Sequence, residues 1–123
     1  MNDLRSIPAY LMRGGTSKGL VFHKKDLPND RNLLTEYLLK IMGSPDIRQI
    51  NGIGGGTSVT SKVCIISKSL EKNVDIDYFF AQVEVDRKHV DYAPTCGNML
   101  SALGPFAIEE GLVETRNEIT QVN

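Results

Sequence analysis

A chain of 123 residues is the size of one ordinary domain. Its 14 basic and 15 acidic side chains leave a net charge of -1, which excludes nucleic-acid binding by bulk charge and an acidic solvating tail. The absence of tryptophan and an aromatic share of 7% argue against recognition by base stacking. Two cysteines, Cys64 and Cys96, do not make a disulfide framework in a chain this long. The opening Met1-Asn2-Asp3-Leu4-Arg5 lacks an apolar signal core, and no apolar run approaches the ~18 residues of a membrane span. The expectation is a cytoplasmic protein with reduced thiols and neither nucleic-acid nor membrane partners.

Residues 7–13 form a short apolar run with β-character, halted by Gly14-Gly15, and residues 19–23 resume it. They read as strands flanking the glycine-rich turn Gly14-Gly15-Thr16-Ser17-Lys18-Gly19. A helix is predicted next. Asn29 or Asp30 can cap it, and Leu33, Leu34, Tyr37, Leu38, Ile41 and Met42 recur on one face. Gly43 closes it and Pro45 prevents its continuation. Residues 50–61 are a second glycine-rich segment, with Gly52, Gly54, Gly55 and Gly56 followed by Thr57, Ser58, Thr60 and Ser61. A strand is expected over residues 62–67, then a polar turn. Another follows over 75–85, where Phe79, Ala81, Val83 and Val85 alternate with polar residues as in a half-buried sheet. From Thr95 to Ile108 the sequence turns helical, apolar or small on every side, which is the pattern of a fully buried helix. Pro105 is expected to kink it and Gly111 to stop it.

The two glycine-rich loops raise the question of phosphate binding, and their spacing rejects the common forms. A P-loop ends in Gly-Lys-Ser/Thr, whereas Thr16-Ser17-Lys18 has another order and Lys62 follows Ser61. The dinucleotide fingerprint needs a third glycine where Thr57 stands, counting from Gly52. The loops do offer main-chain N–H groups beside hydroxyls, donors that suit a carboxylate as well as a phosphate. Otherwise the glycines serve only tight turns.

Cys96 is the sharpest single residue. It sits at the first turn of the predicted helix, with Thr95 as its expected cap, where the positive end of the helix dipole favours a thiolate. Cys64, inside an apolar strand, reads as a small buried hydrophobe. Lys62 opens that strand directly after a glycine- and hydroxyl-rich loop. It is either an ammonium drawn into a partly desolvated cleft for acid–base work or a solvated lysine at a strand end, and Lys18 shares the ambiguity. His23 and His89 have no metal-ligand spacing, so no metal site is expected. Asp75, Asp77, Glu84 and Asp86 read as a solvated strand edge.

Four motifs in one order go beyond these generic signals: residues 13–19 (Arg-Gly-Gly-Thr-Ser-Lys-Gly), Gly52-Ile53-Gly54-Gly55, Thr60-Ser61-Lys62-Val63 and Cys96-Gly97-Asn98. Together with Met42-Gly43-Ser44, Asp77-Tyr78, Phe80-Ala81-Gln82-Val83 and Gly104-Pro105-Phe106-Ala107, the chain resembles the PrpF protein family over residues 7–113. The resemblance implies an α+β, diaminopimelate-epimerase-like lobe, a curled, mostly antiparallel sheet around a buried central helix, that of Cys96. It implies members about three times this length, against ~100–200 residues for one domain. Residues 1–123 would then be a truncated N-terminal lobe whose second lobe is absent from this chain. A lone lobe would expose an apolar wall and favour pairing into a homo-oligomer.

The chemistry implied is a cofactor-independent proton shift within a small unsaturated tricarboxylic acid, with 4-oxalomesaconate keto–enol tautomerisation foremost. The alternatives are 2-methylaconitate or 3-methylitaconate isomerisation, or a carboxylate-binding lobe without turnover. The family carries acid–base roles onto Lys62 and Cys96 and makes Ser17 a proton relay or substrate ligand. Gly15, Thr16, Gly55, Gly56, Thr57, Ser58, Gly97 and Asn98 would line carboxylate pockets. Two departures stand out: Asn51 occupies a position more usually Asp, and Thr95 one that is often Asn.

Overall fold

The computed structural model describes residues 5–94, 96–114 and 120–123. Its centre is a five-stranded sheet in the order β1 (Tyr10–Gly14), β2 (Ser17–His23), β3 (Lys62–Lys68), β4 (Ile76–Val83) and β5 (Val90–Asp91). Only β2 and β3 run parallel; the other neighbours are antiparallel. The parallel step is possible because α1 (Arg31–Met42) and the second glycine-rich segment lie between those strands in sequence and carry the chain back to the same end. The second helix, α2 (Gly97–Glu109), follows β5. No helix among the described residues is long and apolar enough to cross a membrane.

The α1 helix forms where the sequence places it. Asp30 adopts an extended conformation and its Oδ1 accepts the Asn32 N–H at 3.0 Å, satisfying one of the donors that a helix start leaves free. Leu34, Leu38, Leu39 and Met42 recur at spacings of four, one and three and face the sheet, while Leu33, expected among them, points to solvent. Gly43 ends the helix at φ +88, and its N–H and that of Ser44 both reach the Leu39 carbonyl at 2.9 Å.

The strands differ from expectation in a way that matters for the site. The first hairpin turns on Gly15 and Thr16 alone, so Ser17 and Lys18 belong to β2 and not to the turn. β4 covers residues 76–83 rather than 75–85, and it is not half-buried. Ala81 and Val83 face the α1 side with Leu20, Phe22, Val63 and Ile65, whereas Phe80 is buried on the α2 side with Val21, Cys64 and Ile66. Alternation reads as one wet face only when one face is bare; here a helix covers each face, so both sets of residues are apolar in the centre.

α2 is the reverse case. Met99, Ala102, Leu103, Phe106 and Ala107 pack onto the sheet, but Leu100 is 45% exposed and Ser101 and Pro105 are also at the surface. The expectation of burial all round is therefore not met among the described residues, where one side of the helix packs on the sheet and the other is exposed. Its end is as expected. Gly111 takes φ +71, with its N–H on the Ile108 carbonyl and that of Leu112 on the Ala107 carbonyl, the paired bonds of a Schellman cap. Thr95, the expected cap, lies outside the described residues.

The buried thiol of Cys64 carries a pH signature. Burial, with the nearby Cys96 adding to it, pushes this thiol up to about 12 from an ordinary 9.0. The unfolded chain therefore releases this proton in a range where the folded chain keeps it, so stability is intact below about pH 9 and falls as pH rises from there toward 12. Comparing urea-unfolding free energies on either side of that onset should show a smaller alkaline loss in Cys64→Ala than in the parent. An equal loss in both would contradict the assignment.

Candidate active site

Lys62 is fixed by its register. It opens β3 opposite Gly19 of β2 and Gln82 of β4. Gly19 has to be glycine, since a Cβ there would stand 2.4 Å from the Lys62 carbonyl oxygen. Along β3, alternation puts Lys62 on the same face as Cys64 and Ile66, which is the face that α2 covers. Its half-buried side chain therefore runs toward the start of α2, and Nζ donates to Cys96 Sγ at 3.5 Å. Two residues distant by 34 positions are brought into contact because β3 and the start of α2 share one buried cluster on this face of the sheet.

Cys96 occupies the N-cap position itself, with extended backbone, one residue before the helix proper. Its sulfur stands where a capping oxygen usually does. The Met99 N–H points at it, more loosely than in a formed capping bond. Burial pushes the thiol up, but the Met99 N–H, the adjacent Lys62 ammonium and the Ser17 hydroxyl together outweigh it and hold Cys96 below the ordinary thiol range. The two cysteines are thus separated by environment: Cys64 is an inert thiol and Cys96 an ionisable one.

Ser17, the first residue of β2, is 2% exposed, and among the described residues its Oγ has no hydrogen-bond partner. It lies close enough to the Cys96 sulfur to favour the thiolate without reaching hydrogen-bond alignment. The hairpin tip closes the same corner. Asn98 Nδ2 donates to Thr16 Oγ1 at 2.9 Å. Gly15, at φ +55, fits against that asparagine only without a side chain, because a Cβ would meet Asn98 Oδ1 at 2.4 Å. Among the described residues a side chain at Gly97 would meet nothing. The structure therefore gathers Gly15, Thr16, Ser17, Lys62, Cys96, Gly97 and Asn98 at one end of α2.

Residues 55–58 behave otherwise. The Gly55 N–H goes to the Thr60 carbonyl, the Gly56 N–H to Gln49 Oε1 and the Thr57 N–H to Thr60 Oγ1, while the Thr57 and Thr60 hydroxyls bond each other. Gly52, Ile53 and Gly54 also spend their N–H groups inside the protein. The donors of this loop are turned inward. Gly56, Thr57 and Ser58 line a separate groove of about 510 Å³ with Ile47, Gln82 and Glu84. Among the described residues there is also no cluster of three or more groups that could hold a metal ion.

The organiser of that loop is Gln49, which sequence reasoning missed. It is 1% exposed with a positive φ of 47, and its Nε2 donates to Ser61 Oγ at 2.7 Å and Ser44 Oγ at 3.2 Å. Its Oε1 accepts the Gly56 N–H at 2.8 Å. One amide ties the end of α1 to the loop and the loop to Ser61, immediately before Lys62. Nothing in a single polar letter between Arg48 and Ile50 announces burial. Gln49→Leu keeps the volume but orphans the Ser61 hydroxyl and the Gly56 N–H, and should lower unfolding free energy by about 2–4 kcal/mol. A urea-measured loss below about 0.5 kcal/mol would place it with ordinary surface changes.

Comparison with known proteins places this geometry. The family model described as "PrpF protein" matches residues 4–123. The chain is 55% identical over 116 residues to the 4-oxalomesaconate tautomerase of Pseudomonas putida, covering 94% of this chain and 32% of that protein. It is 45% identical over 122 residues to the 3-methylitaconate isomerase of Eubacterium barkeri, covering 99% and 32%. A crystal structure of methylitaconate-delta-isomerase superposes with a TM-score of 0.91 at 46% identity, over 94% of this chain and 30% of that one. The chain thus spans about a third of the length of these curated relatives. With the family model running through both hairpin and helix motifs, and the fold shared at that level of identity, the chain belongs to the PrpF protein family.

Proposed function

We propose that this chain carries the acid–base half of an isomerase that moves a proton within a small unsaturated tricarboxylic acid, without a cofactor. The observation that carries the reading is the contact of Lys62 Nζ with Cys96 Sγ at 3.5 Å. Held below the ordinary thiol range, Cys96 is available as a thiolate, and the thiolate can take a proton from a carbon next to a carbonyl or conjugated double bond. The neighbouring ammonium stabilises the enolate-like charge that develops and can return a proton at another carbon, after which the Cys96 thiol passes its proton to the Lys62 amine across their contact and both groups are restored. Ser17, with its unpartnered hydroxyl, serves as relay or substrate ligand.

Carboxylate binding falls to the open corner of the site. The first turn of α2 at Gly97 and Asn98 presents main-chain donors and the positive end of the helix dipole, and Gly15 and Thr16 border it. Residues 55–58 act as the scaffold that sets Lys62, because the N–H groups of Gly55, Gly56 and Thr57 already have partners. The exposed side of α2, with Leu100, is where a second lobe would complete the pocket, making residues 1–123 an N-terminal lobe. A site that depends on a thiolate suits a reducing compartment, hence the cytoplasm.

Among substrates, 4-oxalomesaconate is favoured, since the tautomerase of Pseudomonas putida is 55% identical and the 3-methylitaconate isomerase 45%. The test is proton NMR in deuterated buffer with 4-oxalomesaconate, 2-methylaconitate and 3-methylitaconate offered separately. Deuterium should enter 4-oxalomesaconate fastest, and Lys62→Met and Cys96→Ala should each slow exchange by about 10²-fold or more. Exchange at the spontaneous rate with all three, from a folded chain, would leave a carboxylate-binding lobe without turnover.

A further inference from the structure

Phe80 has no place in the chemistry above, yet it is the surface on which Lys62 lies. Lys62 pairs with Gln82, so Phe80, two residues along β4, is its diagonal neighbour on the same face of the sheet. The ring is 4% exposed and belongs to the buried cluster that contains Cys96 and Met99. Lys62 Nζ stands 5.4 Å from the ring centroid. Among the described residues the ammonium has no carboxylate within ion-pair distance; its partners are a sulfur and an aromatic face.

That choice of partner has a physical reason. A lysine with four rotatable carbons and no anchor extends into water, where an ammonium is best solvated. A carboxylate anchor would hold it, but would neutralise it and set a second negative charge beside the thiolate. An aromatic face attracts the cation while adding no charge, so the full field of the ammonium remains available to Cys96 and to a substrate anion. An aliphatic side chain of similar volume would fill the space without this attraction.

We propose that Phe80 is a positioning residue that seats the Lys62 ammonium against Cys96 Sγ. The proposal rests on the proton-transfer reading for its catalytic consequence, but the seat itself is a property of the protein without substrate. The test compares Phe80→Leu with Phe80→Tyr, each checked by urea unfolding for a cooperative fold, using thiolate ultraviolet absorbance against pH and steady-state kinetics. In Phe80→Leu, formation of the Cys96 thiolate should move to higher pH. Its kcat should fall about 2- to 5-fold with KM changed less than about twofold. Phe80→Tyr, which keeps the ring face, should restore both. An unmoved titration in Phe80→Leu, or an equal shift in Phe80→Tyr, would overturn the seat and leave the ring as packing alone. A moved titration in a chain that turns over no substrate would support the seat while counting against the isomerase reading, so the two can fail separately.

Discussion

A half-buried ammonium and a thiol 3.5 Å apart set the demands that the rest of this chain meets. Lys62 comes from the first position of a strand and Cys96 from the cap of a helix, and neither position is adjustable without moving its whole element. The strand is held by Gly19 on one side and Gln82 on the other, while the helix is held by five buried side chains and a hairpin tip that keys into Asn98. The site is therefore built on regular structure, with loops used to fix where that structure begins.

The same arrangement explains how one sheet face can hold two cysteines of opposite character. Cys64 sits two residues along β3 from Lys62, sealed among Val21, Ile66 and Phe80, and burial is the largest influence on its state. Cys96 is also mostly covered, but it meets a helix N–H and a cation on its way out of the core. Depth raises the Cys64 thiol, whereas the Met99 N–H and the Lys62 ammonium lower that of Cys96, so place in the fold separates the two thiols.

Much of this was legible in the sequence, and the exceptions are physical. The α1 helix, its Asp30 cap and its Gly43 stop followed from periodicity and capping chemistry, as did the Gly111 end of α2. The short pairing of Val90 and Asp91 has too few residues to show a period. The two-sided burial of β4 was hidden because Phe80 is one letter in an otherwise alternating run, and only the placement of α2 reveals it. Lys62 and Cys96 each carried a local signal, but their contact spans 34 positions and depends on a parallel pairing that no local pattern encodes. Gln49 and the inward-turned donors of residues 55–57 were the largest gap. A glycine-rich loop looks the same in sequence whether its N–H groups await a ligand or are taken by a buried amide.

If Lys62 and Cys96 act as one coupled acid–base unit, as proposed, each senses the charge of the other. The coupling is read by following the side-chain ¹⁵Nζ resonance of Lys62 by NMR while the Cys96 thiolate is monitored in the same sample across neutral to alkaline pH. The Lys62 resonance should shift in step with formation of the thiolate, and this step should vanish in Cys96→Ser. A Lys62 resonance that ignores Cys96 ionisation, or a step that persists without the thiol, would contradict it.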